Sequence, residues 1–575
     1  MNQRNKITVL KFGSSVLRSE ADLPSAVHEI YCHWRAGAQV IAVVSALGDT
    51  TDQLMRRAES WCQQPDRSAL AALLATGESA SSALLGLALN RSGIPSRVLD
   101  PVQAGLRTAG SKLDADPIAV DAARLLAESR RAVVVLPGFV GRDERGDTTL
   151  LGRGGSDFSA LFLAHHLRGT CILLKDVAGL YTSDPACLTV RALRFKQASY
   201  EAAMRLGGSV VQQKAVRFAS ANKLRFTITK IGATASTEIG PFADRLDISG
   251  TSLETIRVAL LGCGTVGGGV FQRLMALPEL FTVTGVGTRT PNRARAAGVP
   301  HHLITSDLEA LIDKRCDLVI ELIGGIKRAA ELTKRALRLG RDVVSANKAL
   351  LARGGHDLEA LAADNGTKLR YSAAVGGVLP ALETIRRARA SGPLRGFSGV
   401  LNGTTNFVLD RMVAGESMSA AVQAAQEQGY AEAHPQTDLE GIDAAEKVIL
   451  LARAAFDVNL PLHAIARKGL EGLNSKILRT AQEQGKAVRL VAECRRSSQR
   501  VEASVKPVEL PLSHPLAQVS GAENRLLIQP EVGEPWVVSG TGAGRWPTTE
   551  AVIADLFDIR RQGSAETLKE LEVCA

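Results

Sequence analysis

The feature that most constrains this chain lies in its middle. An apolar stretch, residues 257–261, runs directly into Gly262-Cys-Gly264-Thr265-Val266-Gly267. This is a strand feeding G-x-G-x-x-G, the opening of a dinucleotide-binding βαβ unit. The first glycine permits the tight turn, the second lets backbone approach a pyrophosphate, and the third lets the helix pack on the strand. Such a unit normally opens a domain. Here about 255 residues precede it, enough for a separate folding unit.

Those preceding residues alternate apolar strand patterns (7–12, 39–45, 132–137, 170–174, 226–231) with helical ones such as 69–89 and 156–167. That alternation predicts a mainly parallel sheet covered on both faces. A second α/β series follows at 257–261, 282–286, 317–322, 342–345 and 368–371, then a long mixed region. The expected division is a first domain over 1–232, a polar linker over 233–255 and a dinucleotide domain over 256–375. A catalytic α+β domain over 376–530 and a segment over 531–575 returning to the nucleotide domain complete it.

Composition narrows the function classes. Aromatic residues make up 4% of the 575, so the cores must rest on Ala, Leu, Val and Ile. The net charge of +10 comes from Lys and Arg scattered among acids. A nucleic-acid surface would stripe them beside aromatics, whereas small anionic substrates suit a mild excess. The eight cysteines form no C-x-x-C pair and read as reduced thiols in the cytoplasm. No signal pattern is expected at the N-terminus, and no apolar run of the roughly 18 residues a membrane span needs.

In the first half, Lys11 ends a strand and precedes the small-residue turn Gly13-Ser14-Ser15. Backbone N–H groups in such a turn can cradle phosphates, with the lysine neutralising charge during phosphoryl transfer. Ser45 sits at a second strand-to-glycine turn, and Ala75-Thr-Gly77-Glu78-Ser79 is expected to put an acid at a helix start, where an N-cap is the plainer role. Gly152-Arg153-Gly-Gly-Ser156-Asp157 joins an arginine, glycines and an acid at a helix entrance, suited to gripping a carboxylate or phosphate. Lys175-Asp176 opens a loop that carries Tyr181 and Asp184.

Together these motifs resemble the amino-acid kinase superfamily, and within it aspartokinases, over residues 6–232. The resemblance implies a three-layer sandwich that passes the γ-phosphoryl of ATP, with Mg2+, to the side-chain carboxylate of aspartate. It assigns Lys11, Gly13 and Ser14 to the phosphoryl group, and Ser45, Glu78, Arg153 and Ser156 to aspartate. Asp157 would organise the reacting groups, and Asp176, Tyr181 and Asp184 would line the ATP side. The chain departs from that pattern in three places. Its opening turn has one glycine fewer, the family's Thr-Asp-Val is Lys175-Asp176-Val, and its Lys-Val-Leu-His-Pro-Arg run is replaced by residues 209–214. Two readings therefore stay open for this half: an active kinase, or a binding or oligomerisation module.

In the second half, the strand at 282–286 ends at Gly287-Thr288-Arg289. An acid there would hold ribose hydroxyls, while arginine suits a 2′-phosphate, so NADP(H) is expected before NAD. Lys348 falls at a carboxyl end of the same series, where open α/β sheets bind ligands. Asp443 and Lys447 lie four apart in an Ala-rich helix, hence on one face.

With Leu401-Asn402-Gly-Thr-Thr-Asn406, Gly429-Tyr-Ala-Glu432, Asp438 and Ser539-Gly-Thr-Gly542, these residues resemble homoserine dehydrogenases over about 256–561. The order of the two halves resembles the fused aspartokinase/homoserine dehydrogenases of threonine and methionine biosynthesis. That resemblance implies hydride exchange between a nicotinamide and C4 of aspartate semialdehyde, giving homoserine. Lys447 would be the proton donor, Asp443 its orienting partner, and Lys348 a neighbour of cofactor and carbonyl. Glu432 and Asp438 would hold the substrate, and the 262–267 turn, Arg289, Lys348 and Gly542 the dinucleotide. A monovalent-cation site would use the carbonyls of Val375, Gly377 and Leu379, with Ser372 where the family carries glutamate. The resemblance also implies a homodimer or homotetramer. Roughly 20 residues separate the halves, too few for a βαββαβ regulatory module, so the usual amino-acid effector site is expected to be absent.

Overall fold

The sequence Ile7–Phe12 is apolar apart from Thr8 and Lys11, and it is buried along its whole length. Near-continuous burial is the mark of an inner strand of a parallel sheet covered on both faces. It pairs in parallel with Gln39–Val44 on one side and Thr170–Lys175 on the other. The computed structural model describes residues 6–187, 192–208, 210–247, 255–432, 434–497 and 500–573, with side chains as far as 562. The described chain forms two compact units, Met1–Ser252 and Leu253–Ala575.

Among the described residues of the first unit, the main sheet has nine strands. Running outward from Ile7–Phe12, one side holds Gln39–Val44, Val133–Pro137 and Ser96–Val98. The other holds Thr170–Lys175, Phe226–Lys230, Ser236–Gly240, Phe195–Ser199 and Arg245–Leu246. Most neighbours are parallel, with antiparallel pairs near one edge. A separate four-stranded sheet is built from 107–119 and 140–150. Helix Gly155–His166 is buried almost throughout, and its Phe158, Leu161 and Ala164 enter the core that also contains Val9, Ile41 and Leu173.

Three expectations need correction here. The segment 233–255 is not linker throughout. Ser236–Gly240 inserts between Phe226–Lys230 and Phe195–Ser199, and its Ile239 is fully buried. Likewise, helix Arg67–Arg91 is by length and composition apolar enough to cross a membrane. Its Leu70, Ala71, Leu74 and Ala75 instead pack with Val140 and Leu150, and it also buries Ser81, Ser82 and Glu78, which lies inside the helix rather than at its start, because the helix begins at Arg67 with Asp66 as its cap.

The described residues of the second unit form two sheets of six strands. One is parallel in the order Ile304–Thr305, Phe281–Gly287, Ile256–Leu261, Leu318–Glu321, Asp342–Ser345, Leu369–Arg370. That is the doubly wound dinucleotide-binding arrangement. The other is mainly antiparallel and centred on Lys486–Arg496 and Leu394–Val400. Helix Ile442–Phe456 packs on it. Residues 531–575 split between the two sheets. Trp536–Thr541 is an edge strand of the antiparallel sheet, and helix Arg545–Val573 returns to the parallel one. There Val552, Leu556 and Phe557 share a core with Val258, Leu260 and Val270.

Candidate active sites

The glycine turn shows why each of its glycines is needed. Gly262 has φ +98°, and a Cβ there would lie 2.5 Å from the carbonyl oxygen of Leu322. A Cβ on Gly267 would lie 2.1 Å from the carbonyl oxygen of Gly262, so helix and strand meet backbone to backbone. Gly264 has open space in front of it and starts helix Thr265–Met275, with Thr265 exposed and Val266 half-buried. An open second glycine at a helix N-terminus fits a dinucleotide pyrophosphate. Arg289 is exposed two residues beyond strand Phe281–Gly287.

Lys348 begins the next helix but one along this edge, Lys348–Asp364. The turn before it is fixed from below. Glu321 is fully buried, and accepts bonds from the Ser345 hydroxyl at 2.7 Å and the Ile323 amide at 3.0 Å. Ser345 in turn accepts from the Asn347 amide, and Asn347 caps the helix through Leu350 N–H. Burial pushes the Glu321 carboxyl above its usual range despite those donors.

The turn delivers Lys348 to Asp443, whose other oxygen accepts from Lys447 at 2.9 Å. Asn402 donates to Asp443 at 2.9 Å and to Asp438 at 2.7 Å. Lys447 also donates to the carbonyl of Leu401 at 2.5 Å, which accepts from Asn524 at 2.9 Å as well. Burial opposes the charge on Asp443, but Lys447 and Lys348 outweigh it and hold the carboxyl well below the usual range. Burial pulls Lys447 down despite Asp443. Lys348 is also penalised by burial, yet the charge of Asp443 raises it overall. Asp438 is raised by burial and by the charge of Asp443. An ammonium has three donors. Two on Lys447 are engaged by protein, which leaves one direction for a ligand oxygen.

Around this cluster the other expected residues divide. Gly542 lies beside Gly377 and against Asn524, and a Cβ on Gly542 would meet the Asn524 amide nitrogen at 1.8 Å. Val375 and Leu379 are buried on the same turn, and the Leu379 carbonyl accepts from Ala381 N–H at 2.7 Å. The Ser372 hydroxyl donates to Glu383 at 2.5 Å. Glu432 is exposed, and no hydrogen bond or ion pair among the described residues ties its carboxylate to the cluster.

In the first unit, Lys11 and Asp157 are buried and paired at 2.8 Å. The Lys11 ammonium lies over Gly13, where a Cβ would come within 2.8 Å of Nζ. Ser45 donates to Ser156 at 2.8 Å. Glu78 is buried, and burial raises its carboxyl to about 8 even though Lys11 opposes the shift. Ser14, Arg153, Asp176 and Asp184 are exposed, and Tyr181 bridges to Arg194 in the loop that would face the nucleotide. Ser209 lies outside the described residues. Lys214 is bound by Asp114 at 2.7 Å and Asp116 at 3.0 Å.

Sequence reasoning left Asn402 and Lys175 without roles. Asn402 Oδ1 accepts from Thr405 N–H as an ordinary N-cap, and that reading conceals what its amide donors do. Lys175 turns inward to Asp157.

The family described as "Homoserine dehydrogenase" matches residues 380–557, and "Homoserine dehydrogenase, NAD binding domain" matches 262–372. The homoserine dehydrogenase of Bacillus subtilis is 33% identical over 319 residues, covering 54% of this chain and 74% of that protein. The chain belongs to the homoserine dehydrogenase family. The homoserine dehydrogenase of Corynebacterium glutamicum is 34% identical over 321 residues, covering 53% of this chain and 72% of that protein. A crystal structure of a homoserine dehydrogenase from Thiobacillus denitrificans aligns with TM-score 0.52 and 34% identity, over 54% of this chain and 74% of that one. The "Amino acid kinase family" matches residues 6–230. A homoserine dehydrogenase is thus preceded in the same chain by an amino acid kinase domain, the order of the fused aspartokinase/homoserine dehydrogenases.

Proposed function

We propose that the chain is a bifunctional enzyme of the aspartate pathway. Its second unit interconverts L-aspartate 4-semialdehyde and L-homoserine with NADP(H), and its first phosphorylates the side chain of L-aspartate with MgATP. The observation that carries the dehydrogenase reading is the Lys348–Asp443–Lys447 cluster, with Lys447 buried and Lys348 and Asp443 half-buried, in the unit that also holds the glycine turn. When bound, the dinucleotide supplies or accepts the hydride. As the semialdehyde is reduced, negative charge develops on its oxygen, and the free donor of Lys447 gives that oxygen its proton. Asp443 holds the ammonium in place, and its lowered pKa keeps it an anion throughout. Burial makes Lys447 a stronger acid than a solvated lysine, which favours donation near neutral pH. Asp438, fixed by Asn402, would hold the substrate, and Glu432 would have to approach from its exposed loop. Lys447→Ala, assayed with saturating semialdehyde and NADPH, should lose roughly 10²–10⁴ in turnover. An almost unchanged rate would reject the assignment.

Arg289, solvent-facing beyond its strand, would meet the 2′-phosphate. Arg289→Ala should weaken NADPH and spare NADH. A monovalent cation at the carbonyls of Val375, Gly377 and Leu379 is part of the reading, as are a cytoplasmic setting and a homodimer or homotetramer.

The kinase reading rests on Lys11 and Asp157 joined at the carboxyl edge of the sheet, with Glu78 and the Ser45–Ser156 pair nearby. The capture of Lys214 by Asp114 and Asp116 favours a second reading, in which this half serves as a binding or oligomerisation module. Formation of aspartyl phosphate, with Lys11→Ala as control, separates the two.

A further inference from the structure

We infer that Lys175 is the second phosphate-binding cation of the first unit, standing where the amino acid kinase pattern has threonine and replacing the lysine that opens the family's Lys-Val-Leu-His-Pro-Arg run, where this chain has Ser209. The inference rests on the kinase reading of this unit. Strands Ile7–Phe12 and Thr170–Lys175 are parallel neighbours with Phe12 opposite Leu174, so Lys11 and Lys175 reach the same carboxyl edge. The two ammoniums share one carboxylate. Asp157 accepts from Lys11 at 2.8 Å on Oδ1, and from Lys175 at 2.8 Å on Oδ2 and 3.1 Å on Oδ1. All three side chains are buried.

One carboxylate between two buried ammoniums leaves an excess positive charge, set in the first turn of helix Gly155–His166. Uncompensated buried charge opposes folding. A purely structural pair would need one lysine, whereas an arriving polyphosphate neutralises the second. The chemistry also calls for cations rather than a base. A carboxylate oxygen of aspartate bonds to the γ-phosphorus, the bond from that phosphorus to the β,γ-bridging oxygen breaks, and its electron pair leaves on ADP. No proton moves, so the site's task is to stabilise charge on the phosphoryl oxygens.

The groups facing Lys175 are Lys11, Asp157, the adjacent Asp176, the Cys171 thiol, which burial holds neutral, and Lys230, its register partner on strand Phe226–Lys230. Glu78 interacts with Lys11 on the other side of that pair. Burial, and then the charge of Lys11, pull Lys175 down to about 8. A site that needs the charged form therefore loses ATP capture as pH rises through about 8.

The test uses the full chain, trapping aspartyl phosphate as its hydroxamate with MgATP and L-aspartate. Unfolding temperature and dehydrogenase rate serve as controls for folding. Lys175→Met should lower kcat by roughly 10²–10³, and Lys175→Arg should restore much of it. In wild type, kcat/KM for ATP should fall through pH 8, and in Lys175→Arg that basic limb should move upward. A Lys175→Met rate within about threefold of wild type, or superimposable pH profiles for wild type and Lys175→Arg, overturns the inference and leaves the kinase reading standing. Wild type that forms no aspartyl phosphate overturns both.

Discussion

Asn402 concentrates several functions in one side chain. Its oxygen caps helix Gly403–Val413, and its amide holds Asp438 and Asp443 in one orientation. Asn402→Ser keeps a capping oxygen, so stability should change by less than about 1 kcal/mol. It removes the amide donors, so kcat/KM for semialdehyde should fall at least tenfold or so, measured beside a denaturation curve. Glu78 tests the first unit in the same way. Its folded pKa is raised to about 8, so its contribution to stability is full below the unfolded value and is lost as pH rises to about 8. Glu78→Gln should therefore raise the unfolding temperature progressively from pH 5 to pH 8, with no further gain above, as a calorimetric pH series would record. At this scale the sequence was legible where local pattern dictates placement, as at Gly262 in its tight turn and at Asp443 and Lys447 on one helix face. It was opaque where one side chain does two jobs, as at Asn402, or where an inward turn depends on a partner distant in the chain, as with Lys175 and Asp157.

Elements with strong periodicity were read correctly, because burial on both faces leaves nearly continuous apolar runs. The strands expected in the two series fall within a residue or two of their limits, whereas the short parallel strands Ser96–Val98, Phe195–Ser199 and Ile304–Thr305 were not expected. Ser236–Gly240 escaped because it is short and half polar. Its strand state comes from pairing on both sides rather than from its own pattern. Helix Arg545–Val573 shows the converse, since its importance lies in what it clamps. Glu550 and Arg273 form a buried ion pair at 3.1 Å that ties this helix to Thr265–Met275, the helix carrying the glycine turn. Removing one partner of a buried pair typically costs about 3–5 kcal/mol. Glu550→Ala should destabilise the second unit by that order and raise KM for NADPH. A denaturation curve unchanged from wild type would show the pair to be dispensable.

The two units have separate cores and separate glycine turns, and the chemistry proposed for each uses residues of that unit alone. Residues 231–261 separate the matched kinase and dinucleotide regions, and 236–240 among them belong to the first sheet. That leaves no room between the halves for a βαββαβ effector module. Threonine at millimolar concentration should therefore leave both rates unchanged, and cooperative inhibition would contradict this. The account as a whole stands on two independent sites in one polypeptide. The measurement that tests it most directly is the pair of rates, aspartyl phosphate formation and semialdehyde reduction, on wild type, Lys11→Met and Lys447→Met. Each variant should lose one activity and keep the other near the wild-type rate. Retention of semialdehyde reduction in Lys447→Met, or loss of both activities in either folded variant, would contradict it.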